Sequence, residues 1–486
     1  MKLFSYGILL TLWGSTTAET FGKNWVSSAK LQKGIKERNL MRNLKDLDKI
    51  AKENGGNRAF GMPGFAASRD YIYNNVRKSR KYRAWIQDFP ANYTNVDSIT
   101  FSIGETEYYV FGLTYSPSTS AEGITAPLVL GPSGEAACSV DGWADYDVTG
   151  KIAFIKRSVC PDGTTLAPRV RAGAAAGAAA VVLYTDVTTK VTGGTLSAPD
   201  PSAFVPAGMI NLDDGTLIAE RLSNGEEIEA YFQQTQVIET RITQNVFAET
   251  KGGDPNNVIM LGAHLDSVKA GAGINDDGSG TTLILELFRA LEKFDTKNRV
   301  RFAWWGAEEN GLVGSRYYTS NLNQTEAAKI LLYLNFDMVS KGYFGVFDGD
   351  GSTHNLTGAP GSEVIERLFV EDLTSKGKNV TAARFTGGSD YASFMTTLNK
   401  PVGGLHTGTG VEQDPCYHQA CDTIDNPVPD TLTTNAKAAA HVLSILAQDG
   451  TRMIPKSAPL DKRDLGTWEW DQIVGERHLE SCGDDV

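Results

Sequence analysis

A chain of 486 residues, 41% of them hydrophobic, can bury a sizeable core and divides into two or three domains of ordinary size. Its 46 basic and 58 acidic residues leave a net charge of −12, with no lysine or arginine stripe, which argues against nucleic acid and anionic membrane surfaces as partners. No apolar run reaches the roughly 20 residues that span a bilayer, so no membrane anchor is expected.

Lys2, the apolar stretch Leu3–Gly14 and the small residues Thr16 and Ala18 read as a signal peptide over residues 1–18. The destination is then secretion, or alternatively the vacuolar lumen. Residues 19–35 follow as a propeptide or N-terminal extension. Leu40, Leu44, Leu47 and Ala51 recur at helical spacing until Gly55-Gly56, which predicts an amphipathic helix ending there. A second helix is expected after Ser68, then antiparallel strands over Tyr82–Phe89 and Ser98–Phe111.

From Gly112 the composition shifts to Gly, Pro, Ser and Ala, with short strands at Ala126–Leu130, Lys151–Lys156 and Val181–Tyr184. The Ala-rich run from Ala172 to Tyr184 fits a buried helix and strand. Near Asn245 long apolar strands resume, which marks 112–245 as an inserted, smaller β-rich domain. It splits a catalytic domain into 36–111 and 246–450, with a tail at 451–486. Val258–Leu261, Val300–Trp305 and Ile330–Phe336 are near-continuous apolar runs, as in strands covered on both faces. Helices at Leu283–Leu291 and Val364–Phe369 alternate with them. The expected class is α/β: a three-layer sandwich with a mixed, centrally parallel sheet.

Five cysteines in a secretory chain fit two disulfides and one left over. Proximity in sequence pairs Cys138 with Cys160 and Cys416 with Cys421, leaving Cys482. Asn92, Asn323, Asn355 and Asn379 each open an Asn-x-Ser/Thr sequon, the acceptor of N-glycosylation. The acidic loop Asp348-Gly349-Asp350-Gly351-Ser352 could bind calcium but lacks a complete EF-hand pattern, and a solvated turn is the better reading.

The chemistry gathers where chain leaves the carboxyl ends of the apolar strands, the place where open α/β sheets bind ligands. His264 follows the first strand, Glu308 and Glu309 the second, and Asp337 closes the third. Asn275-Asp276-Asp277-Gly278 opens a helix, for which Ser279 is the expected cap. His418 lies inside the Cys416–Cys421 loop. With Asp276 these residues supply one histidine and one carboxylate for each of two metal ions, one carboxylate to share, and one spare to act as a general base. Asp266, two residues after His264, can accept the imidazole's other N–H and fix its tautomer. Met338 and Tyr417 adjoin ligands and are either pocket wall or ordinary core.

The strings GAHLDSV, GINDDGSGT, WWGAEENGLVGSRYY, LNFDM and CYHQACDT resemble the secreted and vacuolar co-catalytic zinc aminopeptidases. The resemblance is closest to the fungal leucine or broad-specificity enzymes of the aminopeptidase Y type, which carry a protease-associated insert, and it covers Leu40 to Gly450. It implies the zinc exopeptidase fold and two zinc ions, one held by His264 and Asp337, the other by Glu309 and His418, with Asp276 bridging. It further implies Glu308 as general base, Asp266 as support of the first histidine, and Tyr417 beside the oxyanion or lining the pocket. The activity implied is release of N-terminal residues from peptides with a free N-terminus, by a monomer, through attack of a hydroxide shared between the metals. Gly150-Lys151-Ile152-Ala153-Phe154 and Arg169–Tyr184 are similar to the protease-associated domain.

A carboxypeptidase of the glutamate carboxypeptidase type shares the fold, metals and insert, but the His-Leu-Asp-Ser-Val and Gly-Ile-Asn-Asp strings favour the aminopeptidase branch. A catalytically dead binding protein, as in the transferrin-receptor branch, is expected to lose metal ligands, and all five are kept here. No Gly-x-Ser-x-Gly elbow or His-Glu-x-x-His helix supports a serine hydrolase or a mononuclear metalloprotease.

Overall fold

The computed structural model describes residues 22–161 and 164–456. The leader, the start of the extension, the end of the tail and Cys482 lie outside them. Among the described residues, pairing joins 14 strands into one sheet, with helices packed against it. At its catalytic end Asp254–His264 lies between Asn298–Trp305 and Ile330–Phe336, and the latter pairs with Val402–Leu405. All four run parallel, so their carboxyl ends meet at one edge of the sheet.

Burial explains why these strings fold as they do. Leu283, Ile284, Leu287, Phe288 and Leu291 are each at most 2% exposed on the helix Gly278–Leu291, and each contributes about 1.5–3 kcal/mol by leaving water. The helix Glu37–Glu53 turns Leu40, Leu44, Leu47 and Ala51 into the same core. It stops where Gly55 and Gly56 take φ of 89° and 87°, a left-handed conformation suited to glycine. The helix expected after Ser68 instead spans Pro63–Val76. Proline presets the backbone angle of a first turn and gives up an amide that needs no partner there, while Ser68 is fully buried mid-helix.

The strands expected at Tyr82–Phe89 and Ser98–Phe111 are corrected in a similar way. Tyr82–Ile103 is one strand of 22 residues, and Phe111 belongs to the separate strand Val110–Gly112. The polar stretch Asn92–Asp97 resembles a turn in sequence, yet Asn92–Val96 pair with Gln236–Thr240 of the 23-residue strand Ile228–Thr250, and Asp97 sits at an irregularity between Val96 and Ser98. Cross-strand partners outweigh local composition here. This ribbon joins the two halves: Glu249 to Val246 pair with Arg301 to Trp304, whereas Phe232 to Ile228 pair with Ile124 to Leu128.

The strands Ile124–Leu130, Ile152–Lys156, Ala180–Tyr184 and Ala207–Ile210 continue the sheet through the insert. They surround Trp143, Ile155, Val181 and Leu183 and pack the helix Ala167–Ala175. Cys138–Cys160 and Cys416–Cys421 are disulfides, with Cα separations of 5.9 and 5.3 Å. Asn92, Asn323, Asn355 and Asn379 are exposed. Among the described residues, no helix is long and apolar enough to cross a membrane.

Candidate active site

His264, Asp276, Glu308, Glu309, Asp337 and His418 converge at the carboxyl edge of the parallel strands, each at most 6% exposed. His264 ends its strand with Nε2 3.0 Å from Asp276 Oδ1, 3.6 Å from Asp337 Oδ1 and 3.8 Å from Glu308 Oε2. His418 Nε2 lies 3.2 Å from the other Asp276 oxygen and 3.1 Å from Glu309 Oε2. Asp276 therefore offers one oxygen to each imidazole. The ring of Tyr417 stacks on His418 at 3.8 Å between centroids, and Met338, at φ 50°, is buried directly after Asp337.

The donor set fits metal cations. His264 Nδ1 lies 3.1 Å from the Asp266 carbonyl oxygen; a carbonyl only accepts, so Nδ1 carries a proton. Nε2 then turns toward three anionic oxygens, an arrangement that is repulsive unless a cation or proton lies between them. Asp337 Oδ1 and both Glu309 oxygens are buried and accept no hydrogen bond, and buried charge without compensation is costly. One ligand atom each from His264, Glu308 and Asp337 falls within a 4.8 Å span, as does one each from His264, Asp276 and Glu309.

The pKa directions express the same crowding. Burial pushes the Glu308 carboxyl well up, and the neighbouring Asp337 and Glu309 charges add to it. Burial alone would lower His264, but Glu308, Asp337 and Asp276 outweigh it and raise the imidazole well above its ordinary value. Asp276 moves the other way, because its hydrogen bonds to the two histidines overcome its desolvation.

Asp266 supports the site differently from expectation. Its carboxylate lies 3.9 Å from His264 Nδ1, and its oxygens instead accept from the Glu308 and Glu309 amides at 3.1 and 3.2 Å. The short 3-10 turn Glu308–Asn310 exposes unpaired amides at its start, and an acidic side chain satisfies them. The His264 proton is left to the Asp266 carbonyl.

The helix cap also differs. Asp277, not Ser279, caps Gly278–Leu291, accepting from Gly280 N at 2.8 Å. Its other contacts are the amides of His264 at 3.1 Å and Met338 at 3.2 Å, so a single carboxylate ties together three chain segments. Ser279 Oγ instead donates to Asn275 O and accepts from Val339 N.

Sequence reasoning missed further supports. Arg58, fully buried, donates to the carbonyls of Leu265, Ala272 and Gly273 and so fixes the loop between His264 and Asp276. Asp422 accepts from the Asn275 and Asp276 amides at 2.8 and 3.0 Å, and burial pushes its carboxyl up to about 7. A buried relay ends on Asp337: Trp305 Nε1 donates to Tyr333 Oη at 2.9 Å, and Tyr333 Oη to Asn335 Oδ1 at 3.1 Å. Asn335 Nδ2 then donates to Ser389 Oγ at 2.8 Å, and Ser389 Oγ to Asp337 Oδ2 at 2.6 Å. The alternation Tyr333, Asn335, Asp337 along one strand face was the available signal.

Residues 245–443 match the model of peptidase family M28, and residues 124–218 match the PA domain. A probable leucine aminopeptidase 2 of Aspergillus fumigatus is 39% identical over 424 residues, covering 82% of this chain and 81% of its own length. Among solved structures, an aminopeptidase from Aneurinibacillus sp. strain AM-1 superposes with a TM-score of 0.73 at 27% identity, over 90% of this chain and 99% of that one. A zinc aminopeptidase from Bacillus subtilis shares the fold with a TM-score of 0.69 at 22% identity, over 87% of this chain and 99% of that one. With its buried ring of histidines and carboxylates at the sheet edge and a PA domain set into the catalytic fold, the chain belongs to peptidase family M28.

Proposed function

We propose that this chain is a zinc-dependent aminopeptidase that releases N-terminal residues, of leucine type or broad specificity, from peptides with a free N-terminus. Two zinc ions fit the donor set: His264 and Asp337 for one, Glu309 and His418 for the other, with Asp276 shared. One observation carries this reading: the two Asp276 oxygens face two different imidazoles at 3.0 and 3.2 Å, each imidazole flanked by a carboxylate of its own. Bound zinc supplies Lewis-acid chemistry, polarising the scissile carbonyl and making water acidic enough to attack near neutrality.

The chain's own groups do the rest. Glu308 is spare in the ligand count; its Oε takes the proton of the attacking water and returns it to the departing amine. Asp266 fixes both glutamates through their amides, and Arg58 and Asp277 hold the His264 and Asp276 segments in register. Tyr417 and Met338 line the pocket for the N-terminal side chain. Gln419 Nε2 reaches Thr192 Oγ1 of the insert at 3.5 Å, which supports a role for the PA domain at the site mouth.

A monomer, which the family resemblance implies, is part of the same reading. In this reading residues 1–18 are a leader directing the chain to the exterior or a vacuolar lumen, and the four exposed sequons carry glycans. The domains run 36–111 and 246–450 for the catalytic part and 112–245 for the insert. Leu31 and Ile35 pack into the catalytic core, which supports retention of this stretch in the working enzyme.

The test compares a free-amine chromogenic amide with an N-blocked peptide bearing a free carboxylate, with zinc measured on the same sample and again for Glu308→Gln. The expected result is cleavage of the amide alone. In the variant turnover falls about 10²–10⁴-fold and zinc content stays intact. Loss of zinc would make Glu308 a ligand instead, and cleavage of the blocked peptide would move the chain to the carboxypeptidase branch.

A further inference from the structure

The loop expected to be a solvated turn is not one. Asp348 follows the strand Phe344–Phe347, which runs antiparallel to Val402–Leu405 and so leads away from the catalytic edge. Its side chain is fully buried. Oδ2 accepts from the amides of Thr353 and His354 at 3.1 and 2.7 Å, while Oδ1 is buried and has no hydrogen-bond partner. An orphaned carboxylate oxygen in a native fold calls for an explanation such as an ion.

Two further carboxylates face it. Asp350, on the same loop, and Glu366, on the helix Ser362–Ser375, each bring an oxygen, and the three ligand atoms lie within 4.8 Å of one another. The loop is docked on that helix: the Asp350 amide donates to Glu366 Oε2 at 3.0 Å. Gly349 packs so closely that a Cβ would sit 2.3 Å from Ser362 O. Fixed backbone therefore gathers three like charges that repel one another.

We propose that Asp348, Asp350 and Glu366 form a binding site for a hard divalent cation of the calcium class, separate from the catalytic centre. The cluster offers oxygen donors alone, which suit calcium rather than zinc or copper. Its span is compatible with bonds of about 2.3–2.6 Å, which place oxygens on opposite sides of calcium roughly 4.6–5.2 Å apart. Bound there, the ion ties the loop to the helix and neutralises the buried Asp348 charge.

The test is equilibrium dialysis of the zinc-loaded, full-length protein against radioactive calcium. One calcium per chain is expected, with a Kd of about 10⁻⁴–10⁻³ M, the range of extracellular modules. Asp350→Asn with Glu366→Gln weakens it at least about tenfold, with zinc content and peptidase activity unchanged. Calcium is also expected to slow proteolysis between residues 349 and 361 in the parent and not in the variant. If the double variant does not fold, Asp350→Asn alone, at an exposed position, carries the same comparison. The proposal is overturned if the parent binds no calcium at about 10 mM, ten times the upper end of that range, if the variant binds as the parent does, or if calcium is displaced by loading zinc.

Discussion

Replacing Ser389 with alanine separates the support of the proposed metal ligand Asp337 from that ligand itself. Ser389 Oγ donates to Asp337 Oδ2 at 2.6 Å, while Oδ1 faces His264 Nε2, so the bond orients the carboxylate without occupying its inner oxygen. A hydrogen bond to a charged acceptor is worth about 1.5–3 kcal/mol. That corresponds to a loss of zinc affinity of about 10–100-fold, the range found when such outer partners of metal ligands are removed. Only the site of His264 and Asp337 should weaken, because no link of the relay reaches Glu309 or His418. The variant also strands the buried Asn335 Nδ2, at a cost of about 1–3 kcal/mol in stability. Tyr333→Phe is the control, since it leaves Trp305 Nε1 without its acceptor and lowers stability by a similar amount while sparing the Ser389–Asp337 bond. Titration with a graded series of zinc chelators, alongside denaturant unfolding of the same samples, reads both quantities. The reasoning fails if Ser389→Ala releases both zinc ions equally, or if Tyr333→Phe weakens zinc as much.

The complementary perturbation is at the second histidine. Cys416→Ser with Cys421→Ser opens a disulfide spanning 5 residues, removing about 2 kcal/mol of loop-closure stabilisation. The chelator titration should now show the weaker site to be that of Glu309 and His418; an unchanged profile means the loop is rigid without its bridge. Lys400 gives a pH test far from the chemistry. It is fully buried, Nζ has no hydrogen-bond partner, and burial lowers its pKa from 10.5 to about 8. Below about 8 both folded and unfolded chains hold the proton, so folding bears the full cost of the buried charge. Between about 8 and 10.5 the unfolded chain binds more protons than the folded one, so stability rises with pH by at most about 1.4 kcal/mol per unit. Lys400→Met should raise the unfolding midpoint at pH 7 and remove that slope; a destabilised variant with the slope intact would count against the assignment. Treatment with an N-glycosidase should lower the mass of protein from a eukaryotic secretory host, with Asn converted to Asp at residues among 92, 323, 355 and 379. No mass change would remove the glycoprotein reading.

The candidate site was legible because its residues stand next to a pattern that sequence exposes. His264, Glu308, Glu309 and Asp337 end or follow unbroken apolar strands, and burial of a charged group at such a place has few solutions. The long ribbon was not legible, since Asn92–Val96 reads locally as a turn and becomes a strand only through its pairing with Gln236–Thr240. The same limit hid Arg58, which lies more than 200 positions from the carbonyls it binds, and it assigned the wrong atom of Asp266 to His264. Short-range spacing says which side chains are near each other. It does not say which of two amides or carbonyls will need a given oxygen, because that depends on turns whose unpaired groups appear only on folding.

This difference bears on how the site works. The six residues proposed to act are held by groups from the loop between the helices Glu37–Glu53 and Pro63–Val76, the loop after Asp414 and the strand interior: Arg58, Asp422 and the Trp305–Tyr333–Asn335–Ser389 relay. Each such support is a buried polar group whose partners are backbone atoms or other buried side chains, so removing one exposes a second unpaired group rather than a single lost contact. A carboxylate-rich centre of this kind repels itself when empty, and the supports oppose that repulsion by fixing backbone through Asp277, Asp422 and Arg58, the last also bringing a positive charge close to Asp266, Asp277, Asp422 and Asp276. It follows that zinc loading and folding are linked at this edge of the sheet. Substitutions at the supports should therefore register first as lost metal affinity and lowered stability, before any change in the choice of N-terminal residue.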